Sequence, residues 1–305
     1  MDRAEEQTFL ACGETTAQSV CAVIVTYHPN ASMIANLANI AAQVDAMVVV
    51  DNASTPEALD ALHKANSNFR FHLIENSENF GIAEALNQGI RWAKTNHYAW
   101  VILFDQDSRI KGGFVQKMFA TWESHPQKNR VASVQPRYIN PRSGLGPVVR
   151  RARDGGPVYS MTSGALLPTW IFDKVGWFAS EYFIDWVDIE YCFRMRDAGY
   201  LIADSQDAVL LHAPGHSEPC SLFGFTFRPT HHSAMRRYYM SRNRIAVFRR
   251  YFLRFPNWIL QSMCECARET IKCFLAENDR LRKLRAFLLG TWDGLTGKMG
   301  KREAQ

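Results

Sequence analysis

Trp100-Val101-Ile102-Leu103-Phe104-Asp105-Gln106-Asp107-Ser108 decides the fold. An unbroken apolar run leads straight into two carboxylates separated by one residue. So short and continuous a run predicts a strand buried on both faces, as in a parallel sheet. Asp105 and Asp107 then fall at its carboxyl end, where open α/β sheets bind their ligands. In extended chain, residues two apart point to the same side. The pair is therefore expected to converge on a hard divalent cation that takes oxygen ligands. The competing reading is a strand-end turn in which both aspartates cap loops and the next helix.

The flanks repeat the pattern. Cys21 to Val25 predicts a first strand ending in Thr26-Tyr27-His28-Pro29-Asn30. Ser32 is placed to cap a helix carrying Ile34, Leu37 and Ile40. Ala46 to Val50 predicts a second strand running into Asp51-Asn52-Ala53-Ser54, Pro56 opens another helix, and Phe69 to Ile74 reads as a third strand. Asn79 to about Thr95 is mostly helical. Strands alternating with helices argue for βαβ units. Past Val131–Gln135, a further strand, residues 136–157 are rich in Pro, Gly and Arg and read as a loop. Ser163-Gly164 sits in a Tyr159–Leu167 stretch. Asp185 or Asp188 opens a helix that Gly199 ends as a C′ glycine. Ala208–Leu211 is a last strand delivering His212. From about His232 the chain is helical and basic. The expected division is a leader at 1–19, an α/β domain over 20–230 with its nucleotide-binding half reaching about 130, and a basic helical region over 231–305.

The chain has 305 residues, 47% of them hydrophobic, enough for a packed core. The formal charge of +5 is modest but unevenly placed: no Asp or Glu lies between Glu218 and Glu265, a window holding Arg236, Arg237, Arg242 and Arg244. The seven cysteines show no metal or disulfide framework, which predicts reduced thiols in the cytosol. Asp2, Glu5 and Glu6 stand where a secretory signal would be basic. No run approaches the ~20 apolar residues that span a bilayer.

Several strand ends carry groups able to hold a nucleotide: Thr26-Tyr27, Asp51 and Asp105-Gln106-Asp107. A carboxylate after an early strand commonly accepts hydrogen bonds from a ribose or base; Asp51 reads equally well as a turn residue. There is no glycine loop to cradle phosphates. A diphosphate would need a metal on Asp107, or arginines from the basic half. Asp188 is the candidate general base, kept charged by a helix N-terminus; its alternative is a simple N-cap. His212 is either a further metal ligand or a structural histidine.

Taken in order, these segments resemble glycosyltransferase family 2, the inverting enzymes with a GT-A fold. Within that family they most resemble bacterial rhamnosyltransferases of cell-surface polysaccharide assembly. The residues carrying the resemblance are Val25-Thr26-Tyr27, Val49-Val50-Asp51-Asn52-Ala53-Ser54, Asn79-x-Gly81 with Asn87-x-Gly89, Phe104-Asp105-Gln106-Asp107-Ser108, and Phe183-Ile184-Asp185-x-Val187-Asp188-x-Glu190-Tyr191-Cys192-x-Arg194. Tyr238-Tyr239-x-x-Arg242-Asn243 and Trp292-Asp293-Gly294-Leu295-x-Gly297 complete the set. The resemblance implies a Rossmann-like, mainly parallel sheet sandwiched by helices, with a C-terminal helical extension. It implies that Thr26 and Asp51 bind the nucleoside, that Asp105 holds the ribose or metal, that Asp107 binds Mg²⁺ or Mn²⁺, and that Asp188 is the base, with Asp185 its rival. Tyr27, Asn79, Gly81, Asn87, Gln106, Ser163, Gly164 and Arg242 are the remaining substrate-binding candidates, and His212 the remaining metal candidate. The family often has Glu-Asp at the base position; here Val187-Asp188 stands there, one carboxylate fewer.

The implied reaction is transfer of one sugar, L-rhamnose from dTDP-L-rhamnose, to a glycan or polyprenyl-diphosphate-linked acceptor. The expected setting is the cytoplasm, peripheral on the inner face of a bacterial plasma membrane. Another donor such as galactofuranose or N-acetylglucosamine is the first alternative. A nucleotidyltransferase lacks its usual glycine- and arginine-rich phosphate loop here, and a nucleic-acid binder lacks a recognisable module. Arg280, Arg282, Lys283 and Arg285 interleave with Leu281, Leu284 and Leu288, which share a helix face. That pattern suits an anionic membrane surface, a packing element of the domain, or the interface of a homo-oligomer.

Overall fold

The computed structural model describes residues 19–141, 143–211, 220–222, 225–227 and 231–302. The leader before Ser19 and the candidate ligand His212 lie outside them. The strands are β1 (Val20–Thr26), β2 (Ala46–Asp51), β3 (His72–Glu75), β4 (Trp100–Asp105), β5 (Arg109–Ile110), β6 (Val131–Ile139), β7 (Leu166–Pro168) and β8 (Leu201–Leu211), with a small hairpin of β9 (Cys220–Leu222) and β10 (Phe225–Phe227). The helices are α1 (Ala31–Ala41), α2 (Pro56–Phe69), α3 (Ile82–Thr95), α4 (Phe114–Ser124), α5 (Ile171–Val175), α6 (Val187–Asp197), α7 (Ala234–Tyr251), α8 (Pro256–Ala276) and α9 (Arg280–Thr296).

The eight-stranded sheet has the order β3-β2-β1-β4-β7-β6-β8-β5. Its first half is parallel throughout, with Val23 facing Val48 on one side and Leu103 on the other. The carboxyl ends of β1, β2 and β4 thus lie at one edge. β7 enters antiparallel between β4 and β6, so the sheet is mixed although mainly parallel. Successive β1 residues face opposite layers. Cys21, Val23 and Val25 join one core with α3, α6 and α7; Ala22 and Ile24 join the other with α1, α2 and α4.

The structure moves several expected boundaries. Asn30, not Ser32, caps α1, accepting the Met33 amide at 3.0 Å. Phe69 ends α2 rather than starting β3, because Arg70 turns left-handed at φ 50°. β6 continues past Pro136 where a loop is expected. A register shift between Gln135 and Arg137 places the proline at a bulge, where its missing N–H costs no ladder bond. β8 begins seven residues before Ala208, at Leu201, although its Asp-Ser-Gln-Asp centre looks like a turn. Gly199 does end α6, at φ 85°.

Candidate active site

The parallel register sets Thr26 beside Asp51, and the Thr26 hydroxyl donates to Asp51 Oδ1 at 2.9 Å. Asp51 is fully buried and also accepts the Ser54 hydroxyl (2.5 Å) and amide (2.8 Å). Both carboxylate oxygens therefore carry the Asp51–Ser54 turn, the geometry of the turn reading. Gln106 fastens the end of β4 to the end of β1. Its Oε1 accepts the Tyr27 amide at 2.8 Å and its Nε2 donates to the Tyr27 carbonyl at 3.2 Å. The Tyr27 ring stays exposed at the mouth of the cleft.

The chain does not stay extended after Asp105. The Ser108 amide donates to the Asp105 carbonyl at 3.0 Å, closing a turn that leaves Asp105 half-buried and Asp107 exposed. The turn is pinned from below by the Ser108 and Ser163 hydroxyls, 2.6 Å apart, and by the Gly164 amide donating to the Leu103 carbonyl at 2.6 Å. Among the described residues no three His, Cys, Asp or Glu side chains group as a metal cage. Two carboxylates of hard oxygen chemistry at the cleft mouth nevertheless fit Mg²⁺ or Mn²⁺, since such ions are usually held by one or two carboxylates together with substrate phosphates.

Facing this edge is the loop 181–186, the most strained segment described. Phe183 has φ 62° and ψ −65°, with the Ile184 amide donating to the Tyr182 carbonyl at 2.7 Å: a γ-turn of the rare positive-φ kind. Asp185 (φ 63°) and Trp186 (φ 68°) follow in left-handed conformations. Each such residue costs on the order of 1–3 kcal/mol, and such strain clusters at functional sites. Gly81 (φ 85°) holds the loop from α3: a Cβ there would come within 2.5 Å of the Phe183 carbonyl, and the neighbouring Ile82 amide donates to that carbonyl at 2.7 Å.

Asp185 and Asp188 have different environments. Asp185 is gripped by Arg236, whose Nη2 donates to Oδ1 at 3.0 Å and whose Nε donates to Oδ2 at 3.1 Å. Asp188, in the first turn of α6 rather than at its N-cap, accepts the Ile189 amide at 2.8 Å. It faces a small cavity walled by Leu103, Phe178, Tyr191 and Met195. Burial pushes its pKa from an ordinary 3.8 to about 7; the Ile189 hydrogen bond pulls down, while the charges of Asp185 and Asp105 push further up. The helix N-terminus expected to keep Asp188 charged is thus outweighed by desolvation. Asp185 and Asp105 therefore stand close enough for their charges to act on Asp188.

Other expected residues support the site from beneath. Asn79 Oδ1 accepts the Gly81 amide and the Asn52 side chain, both at 2.9 Å. Asn87 is buried and pairs with the Phe178 amide and carbonyl. Gly89 lets α3 lie on the sheet, since a Cβ there would meet Val23 at 2.4 Å. Arg242 is not brought to the cleft: it is 1% exposed and donates to the Glu181, Tyr182 and Gly300 carbonyls.

Asn52, Ser54, Ser108 and Glu190 lie in the segments that carry the resemblance but have no role assigned from the sequence. Glu190, fully buried, takes hydrogen bonds from Arg194, Arg250 and Tyr251 and so ties α6 to α7. An arginine four residues on, Arg194, was the available signal, because a buried carboxylate needs such a partner.

A sequence profile described as glycosyl transferase family 2 matches residues 21–176. The chain is 29% identical over 294 residues to a dTDP-rhamnosyl transferase, RfbF, of Shigella flexneri, covering 92% of this chain and 97% of that protein. Its fold is similar to a mannosyltransferase of Pyrobaculum calidifontis solved with GDP-Man and Mn²⁺ (TM-score 0.59, 17% identity, 97% of this chain and 94% of that one). It is also similar to residues 1–349 of TarS of Staphylococcus aureus solved with UDP-GlcNAc (TM-score 0.54, 12% identity, 92% and 73%).

Proposed function

The chain belongs to glycosyl transferase family 2, and on that premise we propose that it transfers a single L-rhamnose from dTDP-L-rhamnose, with inversion, to a hydroxyl of a glycan or lipid-linked glycan acceptor. The donor identity is supported by similarity to a dTDP-rhamnosyl transferase along nearly the whole chain. The observation that carries the chemistry is the burial of Asp188 within reach of the charges of Asp185 and Asp105, which raises its pKa to about 7. A base is most effective when its pKa lies near the working pH.

In this reading Asp188 accepts the proton of the acceptor hydroxyl. That oxygen bonds to the anomeric carbon as the bond to the diphosphate breaks, releasing dTDP. Tyr27, Thr26 and the Asp51 turn form the nucleoside side of the cleft. Asp107, with Asp105, would hold a divalent ion, which when bound neutralises the diphosphate leaving group.

The surface of α9 supports a membrane-peripheral enzyme. Leu281, Leu288, Trp292 and Leu295 lie on one face and are all more than half exposed, beside exposed Arg282 and Arg285. Among the described residues no helix is long and apolar enough to cross a membrane. A cavity of about 200 Å³ between α7, α8 and α9, walled by Met240, Leu284 and Phe287 and bordered by Arg237, Arg244 and Arg280, suits an acceptor with apolar and anionic parts.

The test is a thermal-shift screen of nucleoside diphosphates and nucleotide sugars, with and without Mg²⁺ or Mn²⁺, followed by turnover on the best binder. Ligands that bind only the native state raise stability by RT ln(1 + [L]/Kd). A dTDP-selective shift and release of dTDP are expected. A larger shift with a uridine or guanosine sugar would remove the rhamnose assignment.

A further inference from the structure

Asn243, the residue after Arg242 on α7, is fully buried, and its side chain lies against the strained loop. Its Nδ2 reaches three carbonyl oxygens: Tyr182 at 2.9 Å, Ile184 at 2.8 Å and Asp185 at 2.8 Å. Its Oδ1 accepts Arg242 Nε at 2.9 Å, which orients the amide so that the NH₂ group faces the loop. Arg242 adds bonds to the Glu181 and Tyr182 carbonyls and to Gly300, whose own amide donates to the Glu181 carbonyl at 2.8 Å. The carbonyls that a positive-φ run turns away from regular pairing are therefore collected by two adjacent side chains some sixty residues further along. Buried carbonyls need such partners. The same run carries Asp185 and leads into the first turn of α6, where Asp188 sits.

We propose that Asn243 is a positioning residue for the transfer reaction: its carboxamide, oriented by Arg242, holds residues 182–186 in their left-handed path and so sets where Asp185 and Asp188 stand against the cleft. The proposal rests on the base reading above but concerns geometry rather than proton transfer. Only a carboxamide supplies both an NH₂ for the carbonyls and an oxygen for Arg242. Aspartate has the same shape but turns an oxygen toward three carbonyl oxygens. Serine keeps a single O–H donor on a shorter arm.

The test compares Asn243→Ser and Asn243→Asp with the wild-type chain, each assayed well below its own melting temperature. A variant destabilised far from the cleft, Ile40→Val in α1, serves as the stability control. The expected result is a fall in kcat of about 10²-fold, the scale of a 1 Å misplacement. Donor KM should stay unchanged, the acid limb of the pH profile should move to lower pH as Asp188 becomes better solvated, and the aspartate should be worse than the serine. A purely structural role would lower the folded fraction without moving the acid limb, as in the control. Wild-type kcat and an unmoved acid limb in folded variants would overturn the proposal. If neither variant folds, hydrogen exchange on the wild-type protein decides: an Ile184 amide exchanging as fast as exposed loops would overturn it, and a protected one would support it. The base reading fails separately. Full turnover in Asp188→Asn would remove that assignment while leaving a kcat loss in the Asn243 variants to stand.

Discussion

Arg236 holds Asp185 through two nitrogens, Nη2 to Oδ1 at 3.0 Å and Nε to Oδ2 at 3.1 Å, across 51 residues of sequence. That pairing separates two carboxylates which the sequence leaves as rivals. Asp185 is committed to that ion pair, whereas Asp188 lines a small pocket among Leu103, Phe178 and Met195 and has a raised proton affinity. Asp188→Asn should therefore lower kcat by about 10²–10⁴-fold, the usual weight of a general base, with donor affinity little changed. Asp185→Asn should do less. Steady-state kinetics and donor titration on both variants check this; the reverse ranking would make Asp185 the base.

Activity should also carry Asp188's signature in pH. The base works deprotonated, so kcat/KM should fall as pH drops below about 7. The same shift has a stability consequence. Between pH 3.8 and about 7 the native state binds the proton that the unfolded chain releases, so this group's contribution to stability declines as pH rises through that window. Asp188→Asn mimics the neutral form. It should raise the melting temperature at pH 8, by a stabilisation of no more than roughly 4 kcal/mol at 1.36 kcal/mol per pKa unit, and the gain should vanish near pH 4. Calorimetry across that range is the measurement.

Removing the charge of Asp107 should leave folding intact, because the side chain is exposed. Asp107→Asn should lose several kcal/mol of metal-linked barrier lowering, read as turnover across a Mn²⁺ titration. Undiminished wild-type turnover in EDTA would contradict it.

Glu277 is 1% exposed and bridges Arg237 (2.9 Å) and Lys283 (2.9 Å), joining α7 to α9. Burial alone would raise its pKa, but the Lys283 hydrogen bond and the Arg237 charge win and bring it down to about 2. Its stabilisation should be complete above pH 4.5 and be lost as pH falls toward 2. Glu277→Gln should cost about 3–5 kcal/mol, since it removes the charge held between two buried cations. Urea denaturation at neutral pH checks the size.

Lys283 is therefore not part of a solvated basic face, and any charge-reversal test of membrane binding must spare it. The exposed residues of α9 include Leu281, Leu288, Trp292 and Leu295 with Arg280, Arg282 and Arg285. Leu281→Asp with Trp292→Asp should abolish co-sedimentation with anionic vesicles, and reversal of Arg282 and Arg285 should weaken it most at low salt, where screening is least. Negligible binding of the wild-type chain to both anionic and neutral vesicles would leave α9 as a packing or subunit surface.

The succession of strands and their polar ends in the parallel half were legible in the sequence, although the cap of α1, the start of β3 and the turn after Asp105 were not. Short apolar runs such as Val101–Phe104, bounded by polar turn residues, read as buried strands, and a chain of such strands joined by amphipathic helices has its polar strand ends on one edge. Gly199 could likewise be assigned because a left-handed C′ position is a local demand. What the sequence left open depended on partners distant along the chain. Whether Asp188 is neutral depends on the walls supplied by Leu103, Phe178 and Met195. Whether Arg242 meets substrate or backbone depends on where the 181–186 loop passes. Lys283 looked solvated until Glu277 was placed beneath it. Periodicity reports which side of an element is apolar, but desolvation and hydrogen bonding are set by whatever packs against that side, and only the tertiary structure decides that.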